Sequence, residues 1–342
     1  MNKIEISGDW GSSRVYTGTQ WRKVTDLIDT DRVVIITDDN VRKYYGEDFP
    51  DYPVLSMPPG EDNKNLGMIE NLAGALLQMG MDREGFLLGV GGGVVCDITG
   101  FLASVYFRGI RFGFISTTLL SQVDASIGGK NGVNCSGAKN VIGLFNHPEF
   151  VICDPSMLTT LPEEEYSSGL AELLKTALIG DAEMVELIAG SIYSLRKRDL
   201  DLLNILITRA VEIKAGVVMT DMRESGQRRI LNFGHTFGHG AEMEYGILHG
   251  QAVAWGMRAA LEFSVRRGFL EPEEKQTIDL LFNDLSIMPD IPFSGEKIAM
   301  RISFDKKRSG DDIFFVFLCG RGNAVVSKVP IREITGFISE YN

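Results

Sequence analysis

One segment restricts the possible folds of this chain more than any other, because an apolar run leads through three glycines into a helical pattern. Residues 85–90 form the run, residues 91–93 are glycines, and the helical pattern continues to about Tyr106. A strand, a glycine turn and a helix N-terminus in this order indicate an α/β sheet whose backbone N–H groups can face a pyrophosphate. The strict dinucleotide fingerprint is absent, since Val94 replaces its last glycine. A tight turn without a ligand is the alternative.

Other strand-like runs flank this segment on both sides. They are residues 32–37, 54–57, 111–116 and 150–154. Continuous apolar runs are typical of strands buried on both faces, and their alternation with helical segments such as 65–79 predicts a mostly parallel, Rossmann-like sheet. In such sheets ligands bind at the carboxyl ends of the strands, where Asp38, Thr117 and Thr118 would lie. For Asp38 alone, an ordinary turn is the simpler interpretation.

Composition excludes several functional classes. The chain has 342 residues, of which 44% are hydrophobic, enough for one large or two medium domains. A formal charge of −12 argues against a general nucleic-acid binder and against binding to anionic membranes. The four cysteines are scattered without a C-x-x-C motif, as in proteins with reduced thiols, and neither a signal peptide nor a membrane-spanning run is visible. We therefore expect a soluble cytoplasmic protein.

From Pro155 onward the pattern changes to helices. Helical runs are predicted at residues 201–219, 249–267 and 271–285, and two late apolar runs at 313–318 and 325–329 suggest a hairpin. The sequence thus predicts an α/β N-terminal domain at residues 1–155 and an all-α C-terminal domain at residues 156–342.

The helical half contains three of the four histidines in one short window. His235 and His239 are four residues apart and would share one helix face, and His249 opens the next helical run. The alternative is that one or two of them are core or capping residues, but three in one window favour a metal site. Thr236 stands where a zinc protease carries its general-base glutamate, which excludes that chemistry.

Glu172 is the best candidate for a third metal ligand. It lies three residues before Lys175 in an apolar helical segment, so a fully exposed ion pair is doubtful. Two histidines and one carboxylate form a catalytic metal set that leaves positions open for substrate. We expect this set in a cleft between the two domains. Cations that suit a substrate with phosphate and carboxylate groups are Arg108, Lys130, Lys175, Lys214, Arg228 and one of Lys306 and Lys307.

Residues 122–143 are dense in glycine and polar residues and are predicted to form a long loop. Loops of this length in compact domains are usually functional. Asp124, Lys130, Lys139 and Asn140 would reach an anionic, polyhydroxylated ligand from it.

Together these stretches resemble the 3-dehydroquinate synthase family of sugar-phosphate cyclases. The matching stretches follow in family order and are residues 59–64, 91–101, 108–109, 117–130, 169–175, 231–239 and 248–250. The resemblance implies that Glu172, His235 and His249 hold zinc or cobalt. It implies NAD contacts at Asp38, Asn40, Gly60, Glu61, Lys64, Gly92, Gly93, Val94, Asp97, Thr117, Thr118, Lys130, Lys139, Thr159 and Thr160.

The resemblance also implies a substrate, 3-deoxy-D-arabino-heptulosonate 7-phosphate, and a product, 3-dehydroquinate, formed with loss of phosphate and with NAD regenerated. The implied substrate partners are Asp124, Lys130, Asn140, Lys175, Lys214, Glu224, Arg228, Asn232, His239 and the pair Lys306 and Lys307. His239 is the implied proton shuttle. Arg108 would reach across from a second subunit, which implies a homodimer.

Two positions depart from the family pattern, Asn131 where threonine is usual and Cys96 where glycine is common. They bear on loop geometry and cofactor affinity. The alternative functions are a cyclase of the inosose or valiolone type, a metal-dependent NAD polyol dehydrogenase, and a nucleotide-binding regulatory protein. The sequence leaves open which metal is native and which of Lys306 and Lys307 contacts the substrate.

Overall fold

The structure is a computed structural model that describes residues 2–8, 11–224, 226–306 and 311–341, without the side chains of residues 304–306. The chain divides into two compact units. The first comprises Met1–Leu161 and Leu203–Met219, and the second comprises Pro162–Leu202 and Thr220–Asn342. The segment Leu203–Met219 thus belongs to the first unit, whereas the sequence-based division at residue 155 stays a prediction. Within the described ranges, no helix is both long and apolar enough to cross a bilayer.

A seven-stranded sheet is the main element of the first unit. The strands of this unit are β1 (Asn2–Gly8), β2 (Gly11–Thr17), β3 (Val33–Asp38), β4 (Val54–Met57), β5 (Phe86–Gly91), β6 (Arg111–Ser116), β7 (Lys130–Cys135), β8 (Ala138–Phe145) and β9 (Phe150–Cys153). The sheet order is β1-β2-β9-β6-β5-β3-β4, and every pairing except β1 with β2 is parallel. The predicted mostly parallel sheet is confirmed.

Burial explains why these runs become strands. Every residue of β5 and β9 is buried, as are the first five residues of β3. Strands covered on both faces need apolar side chains at successive positions, which is the pattern in the sequence. Phe86 and Phe150 stack with ring centroids 5.8 Å apart and belong to the core of this unit.

Polar side chains cap the N-termini of the first two helices of this unit. The unit contains α1 (Asp39–Tyr45), α2 (Leu66–Gln78) and α3 (Gly93–Val105). The Asp38 carboxylate accepts the Val41 N–H at 3.0 Å, and the Asn65 side chain accepts the Met68 N–H at 3.0 Å. Gly80 follows α2 with φ of +72°, the left-handed geometry that ends many helices.

The predicted loop at residues 122–143 is wrong for most of its length. Residues 121–125 form one helical turn, and β7 and β8 then form an antiparallel hairpin. Ser136 and Gly137 at its tip have φ of +51° and +79°, which suits a tight turn between antiparallel strands. The polar and glycine-rich composition hid this hairpin because its outer strand is largely exposed.

In its described residues, the second unit is helical with one hairpin. Its elements are α4 (Glu163–Gly180), α5 (Ala182–Gly190), α6 (Ile192–Arg196), α8 (His235–Tyr245), α9 (His249–Arg266), α10 (Pro272–Asp284), α11 (Gly295–Lys306), β10 (Asp312–Leu318), β11 (Ala324–Pro330) and α12 (Ile331–Glu340), while α7 (Leu200–Thr220) lies mostly in the first unit. The β10–β11 pair confirms the predicted late hairpin. The core of the second unit includes four phenylalanines whose rings contact one another, Phe237, Phe263, Phe315 and Phe337.

Candidate active site

Glycines at helix contacts bring the candidate metal ligands within reach of one another. Glu172 lies on α4, His235 begins α8 and His249 begins α9. A Cβ added to Gly250 would lie 2.1 Å from the Ser168 carbonyl oxygen, so α4 and α9 pack more closely than any side chain at that position would permit. The Gly250 N–H also donates to the Ser168 hydroxyl at 3.0 Å. The turn of α4 before Glu172 and the first turn of α9, which His249 begins, are therefore fixed by backbone packing.

The two carboxylate oxygens of Glu172 face different partners. Glu172 is fully buried, and its Oε2 forms an ion pair with Nζ of the equally buried Lys175. Its Oε1 lies 3.4 Å from His249 Nε2 and 3.8 Å from His235 Nε2. One ligand atom from each of Glu172, His235 and His249 falls within 4.8 Å of the other two. The structure thus brings the three predicted ligands together.

Each imidazole turns its other ring nitrogen toward an oxygen atom. His235 Nδ1 lies 3.2 Å from the Phe233 carbonyl oxygen, and His249 Nδ1 lies 3.3 Å from Glu242 Oε2. Burial and then the Lys175 charge lower the pKa of His235 to about 3. Burial opposes protonation of His249 too, but hydrogen bonds to Glu172 and Glu242 together raise its pKa to about 10. A metal ion must therefore displace a proton from His249 before it can bind there.

The residues present fit a divalent metal ion. Two imidazole nitrogens and one carboxylate are the donor set of catalytic zinc sites, which leave positions open for substrate oxygens. The second oxygen of the carboxylate is already engaged by Lys175, so one oxygen of Glu172 remains directed at the histidines.

His239, Arg228, Asn232 and Glu224 are predicted substrate residues of the second unit, and they differ in burial and in hydrogen-bond partners. The exposed His239 ring lies 5.2 Å from the His235 ring between centroids. Arg228 is buried and its guanidinium donates to the Met222 carbonyl at 2.8 Å. The Asn232 amide donates to Glu224 Oε1 at 2.5 Å. The side chain of Lys306 and the whole of Lys307 lie outside the described residues, so their predicted roles stay predictions.

In the first unit, the carboxyl ends of three adjacent strands place predicted NAD residues along one edge of the sheet. β3 ends at Asp38, β5 ends at Gly91 and β6 is followed by Thr117, and these strands are neighbours in the sheet. α3 begins just after β5 without a side-chain cap. A Cβ on Gly92 would come within 2.8 Å of the Thr118 methyl group, so glycine is needed for this close approach. An uncapped helix N-terminus at a strand end fits a pyrophosphate.

Charged pairs lie near this edge. Lys64 is buried, forms an ion pair with Asp97 and lies 3.8 Å from Glu61. Burial raises the pKa of Asp97 to about 6, although the Lys64 charge opposes the rise. Lys214 donates to Asp124 Oδ1 at 2.5 Å and to its backbone carbonyl at 2.6 Å. Two predicted NAD residues, Lys64 and Asp97, are therefore in contact, and so are two predicted substrate residues, Lys214 and Asp124.

The remaining predicted residues of the first unit differ in burial and in hydrogen bonding. Thr160 exchanges a hydrogen bond with the Tyr45 hydroxyl at 2.8 Å, and Thr159 donates to the Ser156 carbonyl at 2.8 Å. Val94 and Gly93 are half-buried in the first turn of α3. The exposed residues of this group are Asn40, Gly60, Arg108, Lys130, Lys139 and Asn140.

The two departures from the family pattern are both buried. Asn131 donates to the carbonyl oxygens of Gly129 at 3.0 Å and Asn146 at 2.8 Å, and so ties the base of the β7–β8 hairpin together. Cys96 packs inside α3, and burial raises the pKa of its thiol. Both residues act in packing and loop geometry.

Glu242 contacts the candidate ligand His249 and was not predicted from the sequence. It follows His239 by three residues and His235 by seven, a spacing that places all three on one face of α8. That spacing was the available signal.

Comparisons with known proteins support the family resemblance. The sequence profiles of the 3-dehydroquinate synthase N-terminal and C-terminal domains match residues 54–168 and 169–308. The 3-dehydroquinate synthase of Solibacter usitatus is 39% identical over 307 residues, which cover 87% of this chain and 86% of that protein.

Two solved structures are also similar. The 2-epi-5-epi-valiolone synthase of Streptomyces hygroscopicus, with NAD+ and Zn2+ bound, has a TM-score of 0.86 and 28% identity and covers 96% of this chain and 97% of its own. A 2-deoxy-scyllo-inosose synthase complexed with carbaglucose-6-phosphate, NAD+ and Co2+ has a TM-score of 0.84 and 26% identity, covering 99% of this chain and 100% of its own. With both domain profiles matched in order and the candidate ligands of the resemblance gathered in one cluster, this chain belongs to the 3-dehydroquinate synthase family.

Proposed function

We propose that this protein converts 3-deoxy-D-arabino-heptulosonate 7-phosphate to 3-dehydroquinate and phosphate, the second step of the shikimate pathway. Membership of the 3-dehydroquinate synthase family supports the reaction. The observation that carries the proposal is the convergence of Glu172, His235 and His249, because a cyclase of this family needs a metal site beside its substrate.

Glu172, His235 and His249 would hold the divalent ion, and the edge formed by Asp38, Gly92 and Thr118 would hold NAD. Similar synthases bind NAD+ with Zn2+ or Co2+, which supports both assignments. When bound, the ion would supply Lewis-acid polarisation at a substrate hydroxyl, and NAD would supply reversible hydride chemistry. We propose that the other residues that the resemblance assigns to NAD, which are given under Sequence analysis, also contact the cofactor.

Charges of the second unit are arranged to bind an anionic substrate. The positive charge of Lys175 compensates the buried negative charge of the Glu172 carboxylate. Glu172 can therefore stay ionised as a metal ligand. The Arg228 guanidinium donates to the Met222 carbonyl at 2.8 Å, and the Arg228 backbone N–H donates to the Asp221 carboxylate at 3.0 Å. A guanidinium that is fixed in this way can bind a phosphate or carboxylate with little loss of entropy. We assign Arg228 to substrate binding.

His239 is suited to move a proton. Its ring is exposed beside the partly buried candidate ligand His235, so it can take a proton from bound substrate and exchange it with water. The Asn232 amide and the Glu224 carboxylate hold each other in place and would contact substrate hydroxyls.

Four residues of the first unit complete the proposed substrate set. Lys214 and Asp124 restrain each other through two hydrogen bonds, which leaves an ammonium group in a fixed position. Lys130 and Asn140 lie exposed at opposite ends of the β7–β8 hairpin. We assign the four to substrate hydroxyl and phosphate groups, together with Lys306 or Lys307.

We further propose a homodimer in the cytoplasm, with Arg108 acting across the subunit interface. Phe107 and Arg108 are both exposed, and both adopt left-handed backbone geometry with φ of +49° and +69°. This geometry costs energy for residues other than glycine, and such residues cluster at functional sites. An exposed phenylalanine beside an exposed arginine supports a contact with a second copy.

A turnover assay separates this function from its rivals. The purified protein with the heptulosonate phosphate, a divalent metal and a catalytic amount of NAD should release phosphate and form dehydroquinate, and a chelator should stop it. Net accumulation of NADH would indicate a polyol dehydrogenase. A carbocycle formed only from other sugar phosphates would indicate an inosose- or valiolone-type cyclase, and no turnover at saturating metal would indicate a regulatory protein.

A further inference from the structure

Glu242 is a buried carboxylate with no role in the reaction described so far. It lies on α8, seven residues after His235, and its exposed fraction is 8%. Burying a carboxylate is costly unless a hydrogen-bond donor or a cation compensates it. Here Oε2 of Glu242 lies 3.3 Å from Nδ1 of His249, so a candidate metal ligand supplies that compensation.

The two nitrogens of His249 therefore face two different carboxylates. Nε2 lies 3.4 Å from Glu172 Oε1, on the side of the metal site, and Nδ1 lies 3.3 Å from Glu242. Only one ring nitrogen can offer a lone pair to a metal, and the hydrogen bond at the other nitrogen decides which one does. An acceptor at Nδ1 keeps the proton there and leaves Nε2 for the ion.

The other histidine ligand shows the same arrangement with a weaker acceptor. His235 Nδ1 faces the backbone carbonyl of Phe233 at 3.2 Å. The side chain of His235 is 12% exposed, whereas that of His249 is 33% exposed. The more exposed ring has less packing to hold it, and a carboxylate gives a stronger, charge-assisted hydrogen bond than a carbonyl.

We propose that Glu242 is a positioning residue that accepts the Nδ1–H of His249 and holds its Nε2 toward the metal. The proposal rests on the proposed function, because it requires that Glu172, His235 and His249 bind a divalent ion. Partners of a ligating histidine typically contribute 10- to 100-fold to metal affinity.

Metal affinity tests this role without relying on turnover. The dissociation constants of Zn2+ and Co2+ are measured by competition with a chelator for the wild type, Glu242→Gln and Glu242→Asp. We expect affinity to fall about 10- to 100-fold in Glu242→Gln and less in Glu242→Asp, which keeps the charge. The visible spectrum of bound Co2+ should also change.

Glu244→Gln is the matched control. Glu244 lies on the same helix but pairs with Arg301 at 2.8 Å, and its removal should leave metal affinity unchanged. Unfolding temperatures of the metal-free variants show whether Glu242 acts only on stability. Unchanged affinity and an unchanged Co2+ spectrum in Glu242→Gln would overturn the proposal, whereas a wild type that binds no metal would overturn the proposed function as well.

A second measurement needs no variant of Glu242. The protein contains only four histidines, so nitrogen-proton NMR correlations of zinc-loaded, histidine-labelled protein can be assigned through His249→Ala. His249 should carry its proton on Nδ1 and the metal on Nε2. A ring with the metal on Nδ1, or with a proton that exchanges freely at Nδ1, would contradict the proposal even if Glu242→Gln failed to fold.

Discussion

Replacing Lys175 by methionine should destabilise the metal-free protein far more than the metal-loaded protein. The Lys175 and Glu172 side chains are 1% and 0% exposed and form an ion pair. Methionine fills a similar volume but leaves the carboxylate without this cation. Removing one partner of a buried pair costs roughly 3–5 kcal/mol. His249, with its raised pKa, lies 3.4 Å from the same carboxylate and compensates in part, so we expect about 3 kcal/mol.

A bound ion supplies the positive charge that the variant lacks, so the loss should shrink when metal is added. Scanning calorimetry with a chelator should show an unfolding temperature lower by roughly 6–12 °C, at about 2–4 °C per kcal/mol for a unit of this size. With saturating Zn2+ the difference from wild type should be less than half as large.

Lys297→Met is the matched control for this experiment. Lys297 is 57% exposed and lies 3.7 Å from Glu244, so its loss should cost at most about 0.5 kcal/mol. A Lys175→Met protein whose unfolding temperature falls by no more than that of the control would refute the reasoning. An equal fall with and without metal would refute the link between Lys175 and the ion.

Three further predictions concern ligand, cofactor and hairpin residues. His249→Ala removes a proposed metal ligand and should abolish metal-dependent turnover with the circular dichroism spectrum retained; full activity would contradict the metal assignment. Burial raises the pKa of Asp97 to about 6, so its contribution to the free energy of unfolding should fall by roughly 2 kcal/mol as the pH rises from about 4 to about 7. Asp97→Asn cannot titrate at this position, so in urea unfolding the stability of the wild type relative to the variant should fall by that amount across the range. A Cβ on Gly100 would lie 1.8 Å from Asn131 Oδ1, so Gly100→Ala and Asn131→Ala should each destabilise by about 1–3 kcal/mol, whereas the double variant should lose less than the sum.

The sheet could be predicted because strands buried on both faces appear in the sequence as continuous apolar runs. Residues 32–37 became β3 with little shift, since an apolar run of that length has few other solutions. The β7–β8 hairpin had no such signature. Its left-handed turn at Ser136 and Gly137 and its exposed outer strand are local backbone features that composition describes only as polar.

The candidate metal ligands were predictable, but the reason for their convergence was not. The histidine window and the apolar surroundings of Glu172 indicated a metal site, and the resemblance specified Glu172, His235 and His249 as its ligands. The contact of Gly250 with Ser168, which sets the distance between α4 and α9, depends on tertiary packing that no local pattern encodes. Glu242 was missed for a related reason, since a single glutamate after two histidines has the pattern of a solvent-exposed charge.

The close packing of α4 against α9 has a consequence for how the protein loses and regains its metal ion. Because the Gly250 contact positions Glu172 and His249 through the backbone, we expect the ligands to remain assembled when the ion is removed. The protein should then lose and regain a divalent ion without refolding. We expect the identity of the bound ion to depend on which divalent metals are available.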